Sequence, residues 1–435
     1  MKKLKGRFWL ALTIFSLMGQ VAWVVENMYF NVFIYKIFNA SAADISTMVT
    51  ASAVTATLTT IFMGALSDKI GKRKLFICSG YILWGISIFS FVLLREDLIS
   101  KTFAFAGTAA ATGVSLTIIL DCVMTFFGST ANDAAFNAWL TDSVDGEKRG
   151  AAEGINAMMP LVSILVVFGG FMFFDLNKVG SWSLIYTIIG VLVTAVGILG
   201  FFIIDEPEIQ PAEGSYWGGI IYGFRPKTIA SNKKLYVALL AFILFNISIQ
   251  IFMPYLIIYY EVTLGMKDYV LIMAPAIIVA SVITALWGKV YDKRGYCFSG
   301  ILAIVSLLLG YGLLFLTKAT IPVFIGSLFM MSGYLCGMAV FGAYIRDHIP
   351  VGMAGRFQGV RICAQVLIPG IVGPMIGKKI LENADTIIGN DGTQSFVPNA
   401  NIFLGAAVVA LFVLPLFFKK RAKIKPDVRE GGMVK

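Results

Sequence analysis

Charged residues are scarce in this sequence. They make up 14% of its 435 residues, whereas 58% are hydrophobic. Soluble domains carry roughly 25% charged residues. This shortage excludes an ordinary soluble globular domain and predicts a protein that crosses the membrane many times.

Histidine and closely spaced cysteines are also missing. His348 is the only histidine, which excludes a His-based metal site or catalytic triad. We expect the cysteines to be reduced packing residues, because they fall in or beside apolar segments without a close pair. Since no nucleophile–base pair, metal cluster or phosphate loop is recognisable, we expect neither an enzyme nor a metal or organic cofactor. The five cysteines are Cys78, Cys122, Cys297, Cys336 and Cys363.

The apolar segments predict twelve membrane helices, since a helix needs about 20 mostly apolar residues to cross a bilayer. The net charge of +10 does not indicate nucleic-acid binding, because the basic residues cluster in loops on one side. That asymmetry predicts cytoplasmic termini and a multi-pass protein of the inner cell membrane. The predicted spans are 8–36, 44–66, 75–94, 115–141, 152–174, 183–204, 235–260, 269–287, 299–317, 321–345, 357–377 and 402–418.

The spans divide the chain into four parts. We predict a six-helix bundle over residues 1–204, a cytoplasmic linker over 205–234 and a second bundle over 235–418. Residues 419–435 form a basic cytoplasmic tail.

A charged loop between the second and third spans contains Gly64, Asp68, Gly71 and Arg73. The glycines suit a tight reversal between helices. Asp68 is expected to accept hydrogen bonds from the free N–H groups at the start of the third helix. The same pattern recurs in the second half of the chain, with Gly288 and Asp292 in the places of the first glycine and the acid.

A second pair of matching segments supports the same repeat. Asp142 and Glu153 correspond to Asp347 and Gln358, so the chain is a duplicated unit. This second offset is shorter than the first, so the first half contains extra chain, and the surplus falls at 98–114. It predicts a longer fourth helix or an interfacial segment on the outer face.

The loop Gly64–Lys74, with its weaker copy, resembles the signature of the major facilitator superfamily. The resemblance implies an all-α membrane protein in which two pseudo-symmetric six-helix bundles place a ligand near the midplane and provide alternating access. It also implies that the loops and nearby charges act as cytoplasmic latches. The residues expected in gating are Gly64, Asp68, Gly71, Arg73, Asp142, Arg149, Glu153, Gly288, Asp292, Arg356 and Arg361.

Acidic residues inside spans are the main functional candidates, because a charge at mid-bilayer depth is costly. Glu26, Asp121 and Asp133 are therefore expected to couple transport to H⁺ or Na⁺. Amides and a tryptophan near them suit a polyhydroxylated ligand. The predicted substrate-binding residues are Trp23, Glu26, Asn27, Asn31, Asn132, Asp133, Asn137, Asn246, Gln250 and Gln365.

The acid-rich first and fourth helices are similar to those of melibiose-permease-like glycoside–cation symporters. That similarity implies symport of a sugar or glycoside. We expect a monomer whose partners are a carbohydrate substrate and the lipid bilayer, without nucleic acid. The second helix, from Asp44 to Leu66, contains no internal acid. A full sodium site of the melibiose-permease type is therefore not predicted, and coupling to protons is expected at least as much as coupling to sodium. A multidrug–proton antiporter is the alternative, although helix 5 lacks the Gly-Pro pair of those proteins. A non-transporting membrane sensor is a remote alternative.

Overall fold

The computed structural model describes residues 6–102, 108–144, 146–207, 221–350, 354–388 and 394–418. Its membrane helices follow the predicted spans in order. The first six are α1 (Gly6–Phe38), α2 (Ala42–Ile70), α3 (Arg73–Leu93), α4 (Ala109–Ser143), α5 (Gly146–Phe171) and α6 (Val179–Ile203). The last six are α7 (Lys233–Thr263), α8 (270–294), α9 (296–316), α10 (Thr320–His348), α11 (354–380) and α12 (Asn401–Phe417).

The count of twelve depends on one backbone break. Within the described ranges, nine helical segments are long and apolar enough to cross a membrane, and one of them, Val270–Leu316, contains both α8 and α9. The chain leaves helical geometry there at Gly295, where φ is 77° and ψ is 178°. The shorter apolar stretches in α5 and α12 complete the twelve.

Small elements lie outside these spans. Short helices occupy Glu96–Thr102 and Pro226–Ser231. Between α11 and α12, strand β1 (Thr386–Ile388) pairs with β2 (Gln394–Phe396) in an antiparallel hairpin. Residues 208–220 of the predicted linker, and the whole predicted tail, lie outside the described residues.

The surplus at 98–114 takes the first form that the sequence suggested, a longer fourth helix. α4 begins at Ala109, before its predicted start at residue 115, and runs for 35 residues. The helix Glu96–Thr102 precedes it, and residues 103–107 are not described. The extra chain therefore lengthens α4 and adds a short helix before it.

The internal repeat is visible in the backbone. Gly71 ends α2 and Gly295 separates α8 from α9, and these glycines are the matching positions of the two motif copies. Both have positive φ angles, 71° and 77°, a conformation that glycine adopts without the steric cost of a Cβ atom. The Gly71 N–H also donates to the Ser67 carbonyl, 2.9 Å away, and so caps α2.

Among the described residues, four helices contain a wider π-helical turn, a feature often found at functional sites. Three of these turns contain predicted site residues, namely Glu26, Asp133 and Gln365. The fourth contains Glu261, which the sequence did not single out. The four turns are Val25–Phe30 in α1, Ser129–Phe136 in α4, Tyr259–Thr263 in α7 and Cys363–Leu367 in α11.

α9 and α10 pack closely at a glycine. A Cβ atom on Gly310 would lie 2.4 Å from the Met330 nitrogen and 2.7 Å from the Gly326 oxygen. Both neighbours are backbone atoms, which cannot rotate away. On the same helix, a Cβ on Gly312 would meet no atom of the described chain within 4 Å.

Gly310→Ala is therefore expected to destabilise the protein by about 1–3 kcal/mol, the usual cost of overpacking a core. The measurement is thermal unfolding of the purified protein in detergent, with Gly312→Ala as the matched control. The control is expected to melt like the unmodified protein. Equal melting temperatures for the two variants would show that α9 and α10 do not pack as described.

Candidate functional site

Glu26 is held at the meeting point of three helices. Its side chain is 6% exposed. Its Oε1 atom accepts hydrogen bonds from Ser52 of α2 at 2.6 Å and from Thr125 of α4 at 2.9 Å. The two hydroxyl oxygens lie 3.0 Å apart. Its Oε2 atom has no hydrogen-bond partner in the described chain, so half of this carboxylate remains available.

Asp121 lies one turn before Thr125 on α4, on the same helical face. It is 2% exposed, and its Oδ1 atom lacks a hydrogen-bond partner among the described residues. Thr125 also donates to Glu26, so the two acids lie in the same part of the contact between α1 and α4. Two carboxylates and two hydroxyls thus lie in one buried region where α1, α2 and α4 meet, and unpaired charge is costly there.

This oxygen-rich group, which we call the carboxylate cluster (Glu26, Ser52, Asp121 and Thr125), suits a bound proton or a small hard cation. Either would offset the repulsion between two buried carboxylates. Over the described ranges, no group of three or more His, Cys, Asp or Glu residues is placed to hold a metal ion.

Asp133 occupies the π-helical turn of α4 and is half-buried. It accepts hydrogen bonds from Ser129 and from the Asn132 amide, both at 3.2 Å. The Asn132 oxygen lies 3.0 Å from the Tyr81 hydroxyl on α3. Asn132 is 4% exposed, and its contact with substrate stays a prediction.

Four predicted substrate-binding amides share one arrangement. Each donates an N–H to the backbone carbonyl four residues earlier, which leaves one N–H and the amide oxygen for other partners. Two of them, Asn27 and Asn137, are exposed, whereas Asn31 and Asn246 are buried. The distances are 2.8 Å for Asn27, 3.0 Å for Asn31, 3.1 Å for Asn137 and 2.8 Å for Asn246.

Trp23 supplies an aromatic surface beside these groups. Its ring packs on Trp84 with centroids 5.0 Å apart, and it stays half-buried. Gln250 and Gln365, the predicted contacts from α7 and α11, are also half-buried. A Cβ on Gly373 would lie 2.4 Å from the Gln250 Cβ, so the small residue of α11 lets the two helices approach closely.

Arg73 organises the junction between α2 and α3. Its guanidinium contacts Asp68 at 2.5 Å, Asp142 at 3.1 Å and Ser67 at 2.6 Å, and its side chain is 5% exposed. One buried cation therefore ties the end of α2 and the start of α3 to the end of α4. This contact between the motif and Asp142 lies within one bundle, whereas the resemblance implied latches on the cytoplasmic side.

Asp68 does not cap α3 as expected. The Lys74 N–H, near the start of α3, instead points to the carboxylate of Glu206, with both oxygens 3.2 Å away. The physical reason is competition, because Arg73 lies next to Lys74 and binds Asp68 through its side chain. The cap comes from a residue that follows α6, which is distant in sequence.

The second copy of the motif is built differently. Asp347 accepts a hydrogen bond from the Tyr291 hydroxyl at 3.2 Å, and Cys297 stands at the position that corresponds to Arg73. Gly288 and Asp292 are exposed. The other predicted gating residues are Arg361, which is half-buried on α11, and Arg149, Glu153 and Arg356, whose side chains lie outside the described residues.

Comparison with known families decides what this architecture is. The family model described as Major Facilitator Superfamily matches residues 8–374. The chain belongs to the Major Facilitator Superfamily. The predicted family and the twelve-helix, two-bundle fold are thereby confirmed, and the protein is a multi-pass membrane transporter rather than an enzyme.

Solved facilitator structures share the fold at low sequence identity, and no curated protein matches significantly. A D-xylose–proton symporter has a TM-score of 0.70 at 13% identity, covering 95% of this chain and 98% of its own. The nucleoside transporter NupG has a TM-score of 0.68 at 13% identity, covering 94% of this chain and 99% of its own. A bacterial homologue of the human lysosomal transporter Spinster has a TM-score of 0.68 at 16% identity, covering 96% of this chain and 97% of its own.

Sequence reasoning missed several polar groups of this facilitator. Ser52 and Thr125 were overlooked because serine and threonine are common in membrane helices. Thr125 had a usable signal, since it lies four residues after Asp121 and one turn from it. Ser52 had none, because its contact with Glu26 joins two helices.

Proposed function

We propose that this facilitator is a cation-coupled symporter for a small polyhydroxylated solute, most simply a sugar or glycoside. The observation that carries the proposal is the Glu26 carboxylate, held by Ser52 and Thr125 with one oxygen unpartnered among the described residues. A xylose–proton symporter and a nucleoside transporter among the structural neighbours support a sugar-like substrate. We assign the coupling to the carboxylate cluster.

The cluster would link ion binding to substrate binding through a shared helix. Glu26 receives the ion, and Asn27 and Trp23 lie beside it on α1. Binding of one proton or one Na⁺ lowers the net charge of the two carboxylates, and the smaller charge costs less to bury. The ion-loaded carrier can therefore change state more readily than one with bare charges, which is the physical requirement for coupling.

The coupling ion is proposed to be H⁺ or Na⁺, because α2 contributes a hydroxyl rather than an acid. Ser52 can donate to an ionised Glu26, which suits proton exchange, or offer its oxygen to Na⁺. Asp133 is proposed as a second protonatable group. We also propose that the protein acts as a monomer in the inner cell membrane with both termini cytoplasmic.

The test is solute-induced ion movement in vesicles reconstituted with purified protein. The panel contains mono- and disaccharides, glycosides, nucleosides and cationic dyes, each with and without Na⁺. External alkalinisation on adding one sugar is the expected result for proton symport, and sugar uptake only with Na⁺ is the result for sodium symport. Proton release driven by dyes would replace the proposal with multidrug–proton antiport. Protein-free vesicles are the control.

A further inference from the structure

The outer ends of α1 and α7 are joined by an ion pair that the sequence did not indicate. Lys36 Nζ lies 2.5 Å from Glu261 Oε2, and the side chains are 11% and 14% exposed. Lys36 is two residues before the end of α1, and Glu261 is two residues before the end of α7. The pair therefore bridges the two bundles on the side opposite the Arg73 motif.

Other polar contacts surround this pair and also connect the bundles. The Tyr29 and Tyr269 hydroxyl oxygens lie 2.9 Å apart. Above them, Tyr35 donates to the Phe396 carbonyl at 2.7 Å, so α1 also contacts β2 of the hairpin. Next to it, Ser395 donates to the side-chain oxygen of the residue that follows α1, Asn39, at 2.9 Å. The outer part of α1 thus contacts α7, the start of α8 and the hairpin together.

We propose that Lys36 and Glu261 form an electrostatic lock on the outer gate of this transporter. Alternating access requires the bundles to separate at their outer ends, and that separation must break this pair. Charges that are paired and nearly buried attract strongly, since little water screens them. The pair therefore favours the state that is closed to the outside and sets how often the carrier opens there.

Removal of one partner should act on the gate rather than on the ion or substrate site. It leaves the other charge nearly buried and uncompensated, which penalises the closed state. Opening outward lets the remaining charge reach water. A single neutral variant should therefore shift the carrier towards the outward-open state, whereas exchange of the two charges should restore the attraction.

The test measures how quickly a buried outer position reacts with a thiol reagent. Ala42, 7% exposed at the start of α2, has its carbonyl bonded by Tyr255 of α7 at 3.1 Å. Ala42→Cys is introduced after the native cysteines are replaced, and a membrane-impermeant maleimide is added outside oriented vesicles. No substrate is needed, so the outcome is independent of the proposed sugar transport.

Lys36→Gln and Glu261→Gln are each expected to raise the labelling rate about tenfold. The exchange of Lys36→Glu with Glu261→Lys is expected to bring the rate back towards that of the parent. Lys318→Gln, an exposed outer cation, is the matched control and should leave the rate unchanged. Each variant is first checked by gel filtration for the parent's elution volume.

Two results would overturn the lock. One is an unchanged labelling rate in both single variants, which would mean that the pair does not oppose opening. The other is an exchanged pair that labels as fast as the single variants, which would mean that side-chain shape rather than charge closes the gate.

Discussion

Glu26→Gln is expected to abolish concentrative uptake, so that the transported solute only equilibrates across the membrane. The glutamine keeps the size of the side chain and can still accept from Ser52 and Thr125. It cannot bind and release a proton and carries no charge to hold Na⁺. The measurement is the ratio of internal to external solute in energised vesicles, and a ratio near one is the expected value.

The control for this substitution is Glu96→Gln, the same chemical change at an exposed position before α4. It should retain concentrative uptake at the parent's level. If Glu26→Gln accumulates solute with unchanged dependence on the ion gradient, the carboxylate cluster does not couple transport.

Ser52→Ala extends the same test, because its two possible effects have opposite signs. Loss of a donor to the ionised carboxylate costs about 1.5–3 kcal/mol, since hydrogen bonds to charged groups are strong. A proton-coupled site would then be half-saturated at a lower proton concentration. A sodium site would instead lose an oxygen ligand and need more Na⁺ for half-saturation. The direction in which the half-saturating ion concentration shifts therefore identifies the ion.

Arg73→Ala is expected to cause the largest loss of stability among single substitutions at the junction of α2 and α3. It removes one buried cation from two carboxylates and a hydroxyl at once. Breaking a buried pair costs about 3–5 kcal/mol, and we expect the lower end because Asp68 is 50% exposed. Thermal unfolding in detergent is the measurement.

Arg95→Ala is the matched control for the arginine. Its side chain is 46% exposed and pairs with Asp97 at 3.0 Å, and exposed pairs contribute about 0–1 kcal/mol. Arg73→Lys should fall between the two, because lysine keeps the charge but not the planar fork that reaches three partners. Equal melting temperatures for Arg73→Ala and Arg95→Ala would refute the assigned role.

The sequence predicted features that arise from composition and from local pattern. Apolar length gave the spans, and the matching places of Gly71 and Gly295 revealed the repeat that the backbone shows. Glu26 was predicted as a functional candidate only from the free-energy cost of placing an acid inside an apolar span. Each of these inferences needs only local stretches of the chain and their comparison with one another.

Features that depend on contacts between bundles could not be predicted. Lys36 resembled an ordinary residue at a helix end, and its partner Glu261 lies in the other half of the chain. The sequence of the hairpin between α11 and α12 has no alternating hydrophobic pattern that would predict its strands. Contacts such as that of Phe396 with Tyr35 hold the hairpin in place. The π-helical turns also shift the helical register, so spacing alone misassigns which side chains share a face.

The difference between the two motif copies implies that the bundles do not deform equally. In the first half, Arg73 fastens α2, α3 and α4 through ionic contacts. In the second, a hydroxyl from Tyr291 reaches Asp347, and a cysteine stands at the position of the arginine. The first half is therefore expected to serve as the stiff frame of the carrier, while the region around Gly295 bends and absorbs most of the change in shape during each turnover.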